Sequence, residues 1–213
     1  MVRSVIIKLG SVFLVSALAS VAHGETYSID TSHSDITFKV RHMGISNVTG
    51  KFEKFGGTFQ VDPKNIKATK GTMTLDVNSI NTSNAKRDGH LKSDDFFDAA
   101  NHPQIKFVSK EVKDVNDKDS SATLVGDLTI RGITKPIFLK IKGGGIIKDG
   151  WGNERAAFTA NGKINRFDYG LKWNKAIEAG SLVVAPEVDL ILAFEGIRPL
   201  APASPVKPAT PAK

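Results

Sequence analysis

Residues 36–42 read Ile-Thr-Phe-Lys-Val-Arg-His, a stretch in which apolar or aromatic side chains alternate with polar ones. The positions that share one face of such an extended strand are Ile36, Phe38, Val40 and His42. The intervening positions carry Thr, Lys and Arg, so one face is predicted to be buried and the other exposed to water. This pattern is typical of antiparallel sheets, whereas strands of parallel sheets are apolar on both faces.

The same alternation returns in later segments, at residues 73–77, 124–130, 137–141, 158–164 and 188–194. Turn-forming residues separate these segments at 62–65, 116–119, 143–145 and 148–150. Gly56 and Gly57 interrupt one pattern, which indicates a bulge or a sharp bend. The one long interruption is 81–103, where residues 83–88 are predicted to begin a helical turn capped by Thr82 or Ser83. Many strands and few helices predict an all-β sandwich or closed barrel, and the pattern does not choose between them.

The first 24 residues have the pattern of an export signal. Arg3 and Lys8 precede an apolar run at 9–19, and small residues follow at Ala22 and Gly24. The run is shorter than the roughly 20 residues that span a bilayer, so cleavage and release into the periplasm are predicted, with no stable membrane insertion. The chain has no cysteine, so the domain at 25–198 must be stabilised by its apolar core without disulfides.

The last segment, residues 199–213, contains five of the nine prolines at a spacing of three. Its composition predicts a disordered tail that is dispensable for folding and for ligand binding. The spacing matches the polyproline II period, so a strut that docks on the cell wall or a partner is the alternative interpretation.

Charge and motifs exclude several function classes. The net charge falls from +7 to about +3 once the four basic residues outside 25–198 are set aside. The sequence also lacks a basic stripe with interleaved aromatic residues, which is the pattern that predicts nucleic-acid binding. Glycine-rich nucleotide loops, a Gly-x-Ser-x-Gly nucleophile and closely spaced histidine pairs do not occur in the sequence. We therefore predict no catalytic residue, no metal and no cofactor. The alternative is a hydrolase or isomerase with His42 or His90 as the base and a nearby aspartate.

The segment at 87–98, Arg-Asp-Gly-His-Leu-Lys-Ser-Asp-Asp-Phe-Phe-Asp, resembles the signature of the YceI-like, polyisoprenoid-binding family. Other blocks resemble the same family in the same order, namely residues 30–34, 38–44, 102–107, 126–134 and 164–170. The resemblance covers nearly all of residues 26–195. It implies an elongated, antiparallel, lipocalin-like β-barrel of about eight strands with one short helical insertion. It also implies an exported, non-enzymatic protein that sequesters or carries an amphiphilic isoprenoid or lipid, such as a polyprenyl phosphate, a quinone or a fatty amide. Since family members also form dimers, the resemblance is compatible with a homodimer.

The predicted ligand contacts divide into an apolar interior and a polar rim. The interior is expected to form a continuous tunnel, with contacts from Phe38, Val40, Met73, Leu75, Phe107, Phe158 and Leu190. Further candidate contacts, some beside a tunnel mouth, are His42, Arg87, His90, Leu91 and Arg166. Phe96 and Phe97 are predicted to turn inward and close one end. The apolar residues are equally compatible with ordinary core, and Arg87–Asp88 and Arg166–Asp168 with structural ion pairs.

Overall fold

The computed structural model describes residues 24–174 and 182–200, and within these ranges it contains eleven strands, one α-helix and three 3-10 helices. The strands are β1 (Glu25–Ile29), β2 (Asp35–His42), β3 (Ser46–Phe52), β4 (Phe55–Val61), β5 (Lys70–Asp76), β6 (Ile80–Asn81), β7 (Gln104–Asn116), β8 (Ser121–Ile130), β9 (Ile133–Lys148), β10 (Asn153–Asn165) and β11 (Val184–Pro199). The helix α1 is Ala85–Lys92, and the 3-10 helices are Ile66–Ala68, Val77–Ser79 and Arg166–Tyr169. Residues 1–23 of the predicted export signal and 201–213 of the predicted tail lie outside the described residues.

One antiparallel sheet runs in the order β1-β4-β5-β7-β8-β9-β10-β11-β2-β3-β6 and closes on itself where β1 pairs with β11. Eight strands therefore form a closed barrel, and β2, β3 and β6 continue from β11. The closing contact is short, because Ser28 pairs with Ile197 and Ile29 with Gly196, whereas β10 and β11 pair along the whole of β10. This confirms the prediction of an antiparallel, lipocalin-like barrel of about eight strands with one helix.

The strand β8 has buried side chains on both of its faces. Its inward side chains, including Leu124 and Leu128, belong to the main apolar core. Two outward side chains, Thr123 and Val125, are also buried. The reason lies in β9, since Lys140 donates from Nζ to Thr123 Oγ1 at 2.8 Å and Phe138 pairs with Val125.

The helix α1 forms where the sequence predicts a helical turn, but its cap differs. The N-cap is Asn84, whose side chain accepts a hydrogen bond from the Arg87 backbone N–H at 3.0 Å, and neither Thr82 nor Ser83 fills this position. Thr82 instead donates from Oγ1 to Asp88 at 2.5 Å. Asparagine suits the N-cap because its side-chain oxygen satisfies a free N–H of the first turn.

Two glycine segments have different outcomes. At 143–145 the glycines lie within β9 and do not form a turn between strands, but the β9–β10 register shifts there, between Ala157 and Phe158. At Gly56 and Gly57 no bulge occurs, because β4 and β5 pair in continuous register. Gly57 lies instead at a close backbone approach, where a Cβ atom would lie 2.1 Å from the Thr72 carbonyl oxygen. The glycine is therefore required by the packing of two strands.

The last strand is longer than the alternation predicts. The pattern ends near residues 194–195, but β11 continues until Pro199 pairs with Asn153. The Leu200 N–H then donates to the Gly152 carbonyl at 2.9 Å. The first residue of the predicted tail therefore lies within the sheet. Within the described ranges, no helix has the length and hydropathy that a transmembrane helix requires.

Candidate functional site

The barrel encloses a cavity of about 430 Å³ near the end where β4, β7 and β9 lead into their turns. Its wall is mostly apolar and includes Phe59, Met73, Phe107, Leu124, Leu139, Ile141, Phe158, Ala160, Leu192 and Phe194. Exposed turn residues also line it, so the cavity reaches the surface between the turns. We call this opening the mouth and define it by Pro63, Ile66, Asn116, Ser120 and Ile146.

A second cavity, of about 130 Å³, lies in the barrel beside the α1 segment. Apolar side chains dominate its wall, and Arg166 is the one charged residue among those described there. Leu91, Phe96 and Phe97 line this cavity, and Phe96 is buried in the main core. Phe96 and Phe97 therefore face the interior of the barrel.

The two cavities share two wall residues, Met73 and Leu192. Met73 comes from β5 and Leu192 from β11, so side chains from different parts of the wall lie at the junction of the cavities. The interior is thus not filled, as predicted, but its space is divided into two cavities that meet at this junction rather than forming one uniform tunnel.

Eleven of the fourteen predicted contact residues line a cavity. The larger cavity contains Phe107 and Phe158, and Met73 lines both. The smaller cavity contains Phe38, Val40, Leu75, Leu91, Phe96, Phe97, Arg166 and Leu190. The three that line neither cavity are His42, Arg87 and His90. His42 is half-buried at the end of β2, where its backbone pairs with Ser46 and Val184.

Arg87 stabilises the entry into α1. Its Nε donates to Thr82 Oγ1 and its Nη2 to the Thr82 carbonyl, both at 2.8 Å. Asp88 accepts from the Thr82 N–H at 2.9 Å, so the two charged neighbours both bind the same threonine. The alternative of an Arg87–Asp88 ion pair is therefore not what the structure shows, because Arg87 binds Thr82.

His90 packs among aromatic rings beside the smaller cavity. Its ring meets Phe96 and Trp173 edge to face, with centroids 5.0 and 4.9 Å apart. Its Nε2 lies 2.8 Å from Asp95 Oδ2, and its side chain remains partly exposed. A histidine and a carboxylate are thus together, but at the surface outside both cavities.

Arg166 is buried and holds together two segments of backbone. Its guanidinium donates to the carbonyls of Leu171, Trp173, Val184 and Ala185. A guanidinium has five N–H donors, so one remains for any ligand. No carboxylate within the described ranges forms a salt bridge with Arg166, and burial lowers its pKa. The expected pairing with Asp168 does not form, and the mouth lies elsewhere.

One group of side chains has the composition of a metal site. Asp30, His33 and Glu195 present ligand atoms within 4.8 Å of one another. Arg155 already occupies this position, because its Nη1 donates to Asp30 at 3.0 Å and to Glu195 at 2.5 Å. A cation would have to displace the guanidinium, so the group is an ion-pair network that links the β1–β2 turn to β10 and β11.

This network should make stability depend on acid pH. The hydrogen bond with His33 is the main cause that lowers the pKa of Asp30 from 3.8 to about 2, although burial opposes it. A carboxylate whose pKa is lower in the folded than in the unfolded protein stabilises the fold at pH values above its unfolded pKa. This contribution is lost as the pH falls through the folded-state pKa. We expect the melting temperature to decrease as pH falls from about 3.8 to about 2. In Asp30→Asn this part of the decrease should vanish.

The matched control for this pH series is Asp94→Asn, since Asp94 is exposed in the segment after α1. Its melting curve should follow the wild type at every pH. A wild-type decrease that persists unchanged in Asp30→Asn would assign the acid sensitivity to other carboxylates.

Polar residues that the sequence did not single out line the larger cavity at or beside the mouth. Thr69 Oγ1 is buried and has no hydrogen-bond partner among the described residues. Thr69 lines the larger cavity together with Lys70, Asn116 and Ser121. A buried hydroxyl without a partner is costly, so this oxygen is placed to bond a polar group that enters the mouth. The turn-forming composition at 62–65 and 116–119 was the available signal.

Comparison with known proteins gives a consistent assignment. The family model described as the YceI-like domain matches residues 27–196. A curated UPF0312 protein of Pectobacterium atrosepticum is 38% identical over 200 residues, which cover 93% of this chain and 99% of the relative.

Two solved structures share the barrel. The crystal structure of the Campylobacter jejuni YCEI protein is 32% identical and superposes with a TM-score of 0.64 over 74% of this chain and 89% of that one. A polyisoprenoid-binding domain of Saccharophagus degradans, implicated in plant cell wall breakdown, is 18% identical with a TM-score of 0.57. That match covers 81% of this chain and 98% of the other, and at this identity it bears on the fold alone.

Proposed function

Because this chain belongs to the YceI-like family, we propose that it is an exported, non-enzymatic binding protein that holds an amphiphilic isoprenoid or lipid inside its barrel. Its ligand class would include polyprenyl phosphates, quinones and fatty amides. The Saccharophagus degradans relative is described as polyisoprenoid-binding, which supports this class for the fold. The export-signal pattern of residues 1–24 supports the periplasm as the location.

The observation that carries the proposal is the pair of apolar cavities. The larger opens to the surface at the mouth, and the smaller extends the apolar wall toward α1. The larger cavity has the size of a typical ligand site, and such sites have mainly apolar walls and a few polar groups. Burial of a hydrocarbon chain would supply most of the affinity, at roughly 25 cal/mol per Å² of apolar surface.

The polar end of the ligand is proposed to lie at the mouth. Thr69 offers a hydroxyl that has no hydrogen-bond partner among the residues that the structure describes, and Lys70 and Asn116 line the same cavity. In contrast, Arg87 and Arg166 use their donors on backbone or side-chain oxygens of the protein. A hydrogen-bonding head near Thr69 with its chain directed toward Met73 fits both the polar and the apolar parts of the wall.

The alternative, a hydrolase or isomerase, requires a base that faces its substrate. His42 and His90 line neither cavity, so neither histidine is positioned to act on a molecule enclosed by the barrel. This placement favours binding over catalysis.

Native mass spectrometry of protein purified from its own host tests the proposal. A co-purifying lipid mass that is released by organic solvent is expected, and the same spectrum reports whether the chain is a homodimer. Protein that is empty when purified, and that fails to bind the hydrophobic dye N-phenylnaphthylamine, would contradict it.

Met73 should control how far a chain can enter. Replacing it with alanine removes a side chain at the junction of the two cavities, so they should merge and accept longer hydrocarbons. We expect Met73→Ala to shift the preferred length upward in a series of fatty amides measured by dye displacement. Because the truncation also costs about 2–5 kcal/mol of stability, binding is measured well below the melting temperature.

Met73→Leu is the matched control, because it nearly conserves volume. It should retain the wild-type length preference. An unchanged preference in Met73→Ala would show that ligands do not extend past the junction.

A further inference from the structure

The β9–β10 hairpin beside the mouth carries apolar side chains that no other part of the described chain covers. Trp151, at the tip of the β9–β10 hairpin, is 83% exposed, and Ile147 is 64% exposed. Ile146, which directly precedes Ile147 in β9, lines the larger cavity. The exposed apolar residues therefore lie in the same hairpin as a residue that lines the cavity.

Hydrogen bonds to Asp149 hold the hairpin tip in this position. The Asp149 side chain accepts hydrogen bonds from the N–H groups of Trp151 at 2.8 Å and Asn153 at 2.9 Å. Arg155 also donates to Asp149 at 3.0 Å, and only 4% of the Asp149 side chain is exposed. Trp151 is thus presented to solvent by an ordered turn.

The charge around the mouth is positive. The turn segments 61–70, 116–121 and 142–153 contain six lysines and four aspartates. One of these aspartates, Asp149, is already paired with Arg155. Lys64, Lys67, Lys70 and Lys118 are exposed, and none of them forms a salt bridge with a described carboxylate. The mouth therefore combines an excess of free ammonium groups with an exposed indole.

We propose that the mouth end, defined by Trp151, Ile147 and the lysines of these turn segments, docks on an anionic lipid bilayer so that an amphiphile passes directly between membrane and cavity. The inference rests on the proposed lipid-binding function. Tryptophan prefers the membrane interface, where its ring is apolar and its N–H remains wet. Lysines are attracted electrostatically to a surface of anionic lipids, and a surface of neutral lipids does not provide this attraction.

The same observations disfavour a second copy of the chain as the occupant. An isologous dimer through this end would bring two positively charged mouths together, and like charges repel. An anionic bilayer complements the charge, and it is also the phase in which amphiphiles reside.

The test is co-sedimentation with phosphatidylethanolamine vesicles that contain one quarter phosphatidylglycerol. The double substitution Ile147→Ser and Trp151→Ser should weaken vesicle binding by about tenfold or more. Substituting Lys64 and Lys67 with glutamine should weaken it by about fivefold for each lysine, and only on vesicles with phosphatidylglycerol. The matched control is Ile45→Ser, since Ile45 is 80% exposed in the β2–β3 turn at the opposite end of the barrel.

Three outcomes would overturn the inference. These are wild-type protein that does not bind the vesicles, equal loss in Ile45→Ser, and a double variant that binds like the wild type. If the double substitution changes the oligomeric state measured by light scattering but not vesicle binding, the surface joins two copies. Binding of N-phenylnaphthylamine without vesicles separates this inference from the proposed function. The double variant should bind the dye as the wild type does. If the wild type does not bind the dye, that result contradicts the proposed function and leaves vesicle docking to be judged by the sedimentation assay.

Discussion

A chain carrying Ala160→Trp is expected to fold normally and to bind hydrophobic ligands about a hundredfold more weakly than the wild type. Ala160 is 1% exposed, lines the larger cavity and pairs with Ile141 and Leu192. An indole at this position would occupy space inside the wall. If it displaces about 100 Å² of buried ligand surface, the loss at roughly 25 cal/mol per Å² is about 2.5 kcal/mol. Titration with N-phenylnaphthylamine and thermal unfolding measure the two effects.

The control is Thr159→Trp, which adds the same ring one residue earlier. Thr159 is exposed and points to the other side of the strand, so ligand binding should stay at the wild-type value. Stability and binding that fall together in Ala160→Trp would indicate a tightly packed core at this position. Unchanged binding in Ala160→Trp would place the ligand outside the larger cavity.

Replacing Arg166 with leucine should lower the free energy of unfolding by about 3–5 kcal/mol. The guanidinium satisfies four backbone carbonyls, and a buried acceptor that loses its donor retains its full desolvation cost. Chemical denaturation measures the loss directly. The matched control is Arg41→Leu, because Arg41 is exposed and donates to one carbonyl, that of Gly44.

Arg41→Leu should change stability by about 0.5 kcal/mol or less. A loss of similar size in both variants would mean that the Arg166 carbonyls find other donors. In that case the leucine would offset the lost hydrogen bonds by removing a buried charge.

The strands and the apolar wall could be predicted from sequence because they depend on a short-range period. Phe38 and Val40 alternate with polar neighbours in β2, and both line the smaller cavity. Leu190 and Leu192 in β11 follow the same period and also face the interior. Closure into a barrel came from the resemblance, since alternation is equally compatible with a sandwich.

The polar part of the site was less predictable because it depends on where acceptors lie after folding. The sequence shows that Arg87 and Arg166 are donors, but not that Thr82 and a later backbone segment supply the acceptors. Thr69 and Asn116 belong to turns of ordinary composition, and their position at the mouth results from the order of strands. Gly57 is similar, because the Thr72 carbonyl that excludes a side chain comes from the neighbouring strand.

The short seam between β1 and β11 has a consequence for how the chain folds. Ser28 pairs with Ile197, so the contact that closes the barrel joins segments from opposite ends of the domain. Contacts between residues far apart in sequence form late, because the entropy of closing a long loop is lost before the contact gains energy. We therefore expect the compartment inside the barrel to close only when the last strand docks. The uptake of a lipid during refolding would therefore report the final step of folding.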